Sequence, residues 1–244
     1  MDVALMQFFS SLLRSEELRN RLVFIFAMRP FMADFDRRRN LQILKLCQPI
    51  TLDYLDEAAA KALITEPIRR LPSVEADAVE YLCSLTAGHP YLIQRLMKIA
   101  VDDAIRDRQG INLQRVEAME QRMVSDSTGY EGVFNVLDSD YSMEEVSVPR
   151  HSACGKGLLS LVAKLGTERT DRWADKKRLG DEMGRCSCRR EETEGLLSQL
   201  VNAKILEEKE IEGRLCFRMV IPLLQKRYLA QNFYLKYFSS LNDH

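Results

Sequence analysis

The chain has 244 residues, 46% of them hydrophobic and 29% charged, with a formal net charge of −1. That length allows one large domain or two small ones, and the near-neutral balance removes any composition-level case for nucleic acid. No run of about 18 apolar residues occurs, which excludes a membrane-spanning helix, and Asp2, Arg14, Glu16 and Glu17 break the pattern of a secretory leader, so a cytoplasmic location is expected.

Leu5, Phe8, Phe9, Leu12 and Leu13 recur at helical spacing and predict a first helix over 3–19. The nearly unbroken apolar run 22–28 then reads as a strand buried on both faces, the kind found in parallel sheets. Such a strand needs neighbours, and one helix precedes it, so residues 1–48 read as the residual end of an α/β core. An Ala-rich amphipathic helix is expected over 55–64, with Asp53 as its N-cap and Pro67 beyond its end. A second helix over 74–85 has Ser73 in position to cap it. Gly88-His89-Pro90 interrupts the pattern, and Pro90 suits the first turn of a third helix running to about 108. Gly110 is expected to stop that helix, and Asn112 to cap a fourth running to about 124.

Residues 125–152 are rich in Ser, Asp, Gly and Glu and read as a linker. Charge changes across it: residues 1–150 carry about five more acids than bases, and residues 151–244 about four more bases than acids. Beyond the linker, helices are expected over 157–165, 176–183 and 189–202, the third capped by Ser187. Runs 204–209 and 214–219 then pair as a hairpin around Glu212-Gly213. Three helices followed by a hairpin is the winged-helix order. Trp173 is expected to pack inside this part.

Six cysteines are scattered along the chain. Cys186-x-Cys188 and His151-x-x-Cys154 have spacings seen at metal sites, yet zinc requires four ligands at paired spacings. Free thiols are therefore expected, and no metal.

The segment 50–64 followed by Pro67 resembles the first lid helix of AAA+-like ATPases of the STAND and archaeal-ATPase groups. Ala87-Gly88-His89-Pro90 and the helix after it resemble their G-x-P motif, which opens the helix leaning over the adenine. The run 22–28 ending at Arg29 is similar to their sensor-1 strand, and a winged helix follows in many members, as here. The chain thus resembles the C-terminal half of such a module. The fold class implied is mainly α with small α/β and winged-helix parts: a residual strand, a helical lid over 49–124, the linker 125–152, a winged-helix domain over 153–236 and a tail over 237–244.

The departures from the family bear on chemistry. The phosphate loop needs a glycine five residues before a Gly-Lys pair and Ser or Thr after it. The only Gly-Lys here, Gly155-Lys156, has Arg150 and Gly157 in those places. No apolar strand ends in the paired acids that position magnesium and water. The chain is therefore not expected to be an enzyme by itself, and ATP and magnesium would bind only with a complete core supplied. The resemblance implies partial contacts to adenine or phosphate through Arg29, Gly88 and Pro90. His89, with no acid or nucleophile beside it, reads as a turn residue. Arg37-Arg38-Arg39 reads as a solvated loop in preference to an arginine finger acting on a neighbouring subunit.

A DNA-reading winged helix presents bases along its third helix. Here that helix offers Arg189 and Arg190, then Glu191, Glu192 and Glu194, and the wing carries Glu207, Glu208, Glu210 and Glu212. Lys176, Lys177 and Arg178 on the second helix complete the candidate nucleic-acid residues. The acids would face the dense phosphate charge of a duplex, so a protein partner, or the chain's own ATPase core, is the expected contact, with oligomerisation open. The function expected is that of a regulatory or interaction fragment of a STAND or AAA+-like ATPase. The alternative is a winged-helix DNA-binding or transcriptional regulator. An enzyme with an unrecognised site is a third reading, which lacks a nucleophile paired with a base.

Overall fold

The structure, a computed structural model, describes residues 3–19, 52–68, 73–125, 149–168, 172–186 and 188–230, with a few single positions before 52. Apart from Ile25, the sequence-predicted strand at 22–28 lies outside those residues, as do Arg29, the arginine triplet at 37–39, nearly all of the predicted linker and the tail 237–244. Ile25 is in no strand and is 91% exposed, against the expectation of burial on both faces. Among the described residues the chain is mostly helical, with one three-stranded antiparallel sheet. It divides into two compact units, Met1–Asp53 and Tyr54–His244.

In the first unit the expected helix is broken into α1 (Val3–Arg14) and α2 (Glu16–Arg19). The break is at Ser15, whose carbonyl accepts from the Leu18 N–H at 3.2 Å and so starts a new turn.

The second unit begins with α3 (Glu57–Thr65), α4 (Ala76–Thr86), α5 (Pro90–Asp107) and α6 (Leu113–Ser125). Asp56, not Asp53, caps α3, accepting from the Ala59 N–H at 2.7 Å. Ser73 does not cap α4. Its carbonyl instead accepts from the Ile111 N–H at 2.9 Å, and Val74 and Ile111 form a parallel bridge that closes the far end of α5 onto the start of α4. Pro90 opens α5 as expected, because a first-turn residue has no N–H to lose. Gly110 does not stop α5. The left-handed residue is Arg108, at φ 54°, while Gly110 lies against the Ser73 carbonyl. Asn112 caps α6, its Oδ1 accepting from the Arg115 N–H at 3.0 Å.

The remainder runs α7 (Pro149–Thr167), β1 (Ala174–Asp175), α8 (Lys176–Arg185), α9 (Arg190–Asn202), β2 (Leu206–Ile211), β3 (Arg214–Met219) and α10 (Pro222–Ala230). The sheet order is β1-β3-β2. Helix α7 starts well before the expected residue 157, and Ser187 lies outside the described residues, leaving Arg189 at the N-cap of α9. The hairpin turn is the expected Glu212-Gly213, both left-handed at φ 53° and 74°, which matches the twist of two-residue hairpins. Trp173 is buried, with the Arg218 guanidinium 4.7 Å above its ring. Arg218 also pairs with Glu207 directly across the hairpin.

The bundle α3–α6 and the helix–sheet part share one core. Leu82, Leu92, Ile93, Leu96 and Met119 of the bundle belong to the same buried cluster as Leu158, Leu179, Phe217 and Leu224. Helix α10 joins the two parts, packing on α4 and α6 on one side and on α7 and β3 on the other. No helix among the described residues is long and apolar enough to cross a membrane.

Candidate functional site

The sequence singles out the turn before α5, and its geometry is specific. Ala87 and Gly88 are both left-handed, at φ 49° and 74°. Gly88 is buried, its carbonyl accepts from the Leu55 N–H at 2.9 Å, and a Cβ placed on it would lie 2.2 Å from the Leu55 carbonyl oxygen. Only glycine fits both the dihedral and the approach. The turn therefore holds the entry segment of the bundle against the start of α5.

Beside this contact is an open groove of about 520 Å³, floored by Leu55, Ala60, Ala87 and Gly88 and rimmed by Lys61, Glu80 and Cys83. Lys61 donates to Glu57 at 2.6 Å, and this hydrogen bond holds the Glu57 carboxyl below and the Lys61 ammonium above their ordinary ranges. Burial pushes the Cys83 thiol up. Glu57 lines the groove together with Glu80, and Lys61 is paired with Glu57, so the charge around its apolar part is net acidic and the groove suits a flat apolar ring better than an anion. Of the three residues assigned nucleotide contacts by resemblance, Gly88 lines this groove. Pro90 does not: it starts α5 outside it. Arg29 lies outside the described residues. The His89 ring is tilted 41° to Tyr54 and meets Tyr91 nearly edge-on, with ring centroids 5.2 and 6.4 Å away.

The five basic residues assigned to nucleic acid come together on α8 and the start of α9, and acids accompany most of them. Glu194 lies 3.5 Å from both Lys176 and Arg190, bridging the two helices, and Arg178 meets Glu168 at 2.6 Å. Lys177 and Arg189 are exposed. A shallow hollow of about 240 Å³ at Trp173, Lys177, Arg178 and Arg214 also includes Asp175 and Asp181. The surface is mixed in sign, which suits a protein contact better than a phosphate backbone.

One cluster escaped the sequence entirely. Glu120 of α6 is buried and accepts from the Lys226 ammonium of α10 at 2.6 Å and from the Tyr81 hydroxyl of α4. Lys226 also donates to the Tyr81 hydroxyl at 3.1 Å, its nitrogen 5.5 Å from the ring centre. A second tie runs from the Tyr54 hydroxyl to the Lys204 carbonyl at 3.0 Å, after α9. Periodicity could not reveal the cluster, because its members are far apart in sequence and each is ordinary in its own helix.

Burial and the hydrogen bond to Glu120 raise the Tyr81 hydroxyl, while Lys226 is raised by its bonds to Glu120 and Tyr81 against an opposing effect of burial. Both hold their protons more tightly folded than unfolded. Their contribution to stability is complete below about pH 10 and is lost as pH rises through the raised folded values. Unfolding free energy measured from pH 8 to 11 should fall more steeply in the wild-type chain than in a Tyr81→Phe/Lys226→Met variant. Equal slopes would mean that the cluster does not titrate as a unit.

Among the described residues no group of three or more His, Cys, Asp or Glu side chains is arranged to hold a metal ion. No protein-family model matches the chain, and neither a curated protein nor a solved structure is significantly similar to it.

Proposed function

We propose that this chain is a regulatory or interaction segment of a STAND or AAA+-like ATPase, in which a helical lid and a winged helix act as one body. The observation that carries the reading is the seating of α10 across α4 and α6, pinned by Lys226 to Glu120 and Tyr81. A lid fused to a winged helix converts a change at the lid into movement of the wing, whereas in the families this sequence resembles nucleotide state sets the orientation between core, lid and winged helix. The order α7-β1-α8-α9-β2-β3, with β1 paired to β3, supports the winged-helix assignment. The groove at Gly88 supports a lid able to contact the apolar face of a nucleotide whose phosphates are held elsewhere. Hydrolysis is not part of the proposal, since no phosphate loop or magnesium-binding strand end is present in the sequence.

Denaturant unfolding tests the single body. Trp173 is the only tryptophan and lies in the winged part, while amide exchange in α5 reports the lid. Coincident transitions are expected, and a wing that melts separately from the lid would overturn the relay. A labelled duplex titrated at two salt concentrations distinguishes the alternative. No salt-sensitive binding is expected, and steeply salt-dependent micromolar binding would make the chain a DNA-binding protein instead.

A further inference from the structure

With the order β1-β3-β2, strand β2 pairs with β3 on one side and, among the described residues, with no strand on the other. The register tells which backbone groups face that open edge. The Val220 N–H donates to the Ile205 carbonyl at 2.9 Å, and the pairs run on from Leu206 opposite Met219 to Ile211 opposite Arg214. Hydrogen-bonded and non-hydrogen-bonded pairs alternate along an antiparallel ladder. Counted from Ile205 and Val220, the residues Glu207, Lys209 and Ile211 turn their N–H and C=O groups to β3, and Leu206, Glu208 and Glu210 turn theirs outward. The two-residue turn Glu212-Gly213 requires the same phase, because it closes on a hydrogen-bonded pair, Ile211 and Arg214. Leu206 is buried where α9 packs on the strand, whereas Glu208, Lys209 and Glu210 are exposed. Side chains alternate as well. On one face Glu207 is neutralised by Arg218 across the hairpin. On the other, Glu208 and Glu210 have the apolar Phe217 and Leu215 as cross-strand neighbours, and neither makes an ion pair among the described residues.

We propose that the outer edge of β2 is a docking site for an extended basic segment of a protein partner, which adds to the three-stranded sheet as a further strand. The added strand bonds to the outward N–H and C=O groups of Glu208 and Glu210, and main-chain bonds of this kind supply affinity whatever the side chains. Side chains supply the selection. Residues directly opposite in a hydrogen-bonded pair lie about 5.5 Å apart and share a face of the sheet. The partner residues opposite Glu208 and Glu210 are therefore lysine or arginine, and the residue between them, on the Lys209 face, is neutral or acidic. The signature of the partner is a cation at alternate positions. A second copy of this chain is the wrong occupant. Antiparallel self-pairing centred on Glu208 sets that residue against itself, and centring on Lys209 sets Glu208 against Glu210. The acids that keep this edge from pairing with its own kind thus select an edge partner of opposite charge. The inference concerns the wing alone and does not depend on the ATPase reading.

The test titrates the full chain into two labelled octapeptides of equal composition, one alternating lysine and threonine, the other with its lysines in one block. Anisotropy should show the alternating peptide binding more tightly by roughly two- to thirtyfold. Residue-resolved amide exchange locates the site. In the free chain the Glu208 and Glu210 amides should exchange fast and those of Glu207 and Lys209 slowly, and saturating alternating peptide should slow the first two by roughly tenfold or more. Glu208→Lys/Glu210→Lys, at two exposed positions, should lose the lysine peptide and bind an alternating glutamate–threonine peptide instead. Slow exchange at Glu208 and Glu210 in the free chain would overturn the proposal, since the edge would already be covered. So would equal binding of the two lysine peptides, binding indifferent to the charge reversal, or no binding at about 1 mM peptide. Exchange in the wild-type chain decides the matter even if the variant folds poorly.

Discussion

Gly88→Ala is expected to destabilise the Tyr54–His244 unit by about 2–4 kcal/mol, read as a lower denaturant midpoint by Trp173 fluorescence. Two effects add. The first is dihedral: at φ 74° a Cβ meets its own backbone, which costs roughly 1 kcal/mol. The second is contact: the same Cβ would lie 2.2 Å from the Leu55 oxygen and 3.2 Å from its carbonyl carbon. These are backbone atoms, so no rotamer change relieves the overlap. The entry segment must move, and the Leu55–Gly88 hydrogen bond moves with it. Asparagine tolerates the left-handed region but brings the same Cβ, so Gly88→Asn separates the effects: if it is as damaging as alanine, contact dominates. The control is Gly180→Ala in α8, where a Cβ meets nothing within 4 Å. There the gain in helix propensity should stabilise by about 0.5–1 kcal/mol. A Gly88→Ala variant within about 0.5 kcal/mol of wild type would show that Leu55 does not rest on the turn as described.

The same turn shows what a sequence can disclose. A glycine and a proline two residues apart announce a helix stop and a helix start because both signals are local, and α5 begins at Pro90. Asn112 and the Glu212-Gly213 turn were readable for the same reason. Where tertiary contacts compete with local signals, the sequence misleads. Ser73 has the chemistry of an N-cap, but its carbonyl is taken by Ile111, across the whole length of α5. Three capping side chains, Thr51, Asp53 and Asp56, precede α3, and periodicity does not choose among them. The helix expected from residue 157 begins at Pro149, with Gly155 inside it and facing Leu196 of α9. Strand β1 is two residues long and exists only because Ala174 and Asp175 pair with Phe217 and Cys216. At the candidate site the legible part was Gly88. The groove, the Glu194 bridge and the Glu120–Tyr81–Lys226 cluster each join distant segments by contacts that carry no periodic or spacing signature.

Lys226→Met should cost about 2–4 kcal/mol and uncouple the two parts of the second unit. Glu120 has 8% of its side-chain surface exposed, so removing the ammonium would leave a buried carboxylate dependent on the Tyr81 hydroxyl. The loss should stay short of that for a wholly buried pair, because Lys226 is 44% exposed and water can enter where its head group was. Removing both charges is a different experiment. Glu120→Leu/Lys226→Met leaves no stranded charge, and its cost should fall well below the sum of the single variants, with a coupling of about 1–3 kcal/mol. That asymmetry assigns the cluster its role. An ion pair replaceable by apolar side chains adds little to net stability, and what it supplies is a single permitted seating of α10 on α4 and α6. In the double variant the two parts should remain folded while the Trp173 transition separates from exchange in α5, since an apolar contact tolerates sliding that a directional one does not. Coincident transitions in the double variant would locate the coupling in the shared apolar core, and the relay would then depend on Leu224 and its neighbours instead of on Lys226.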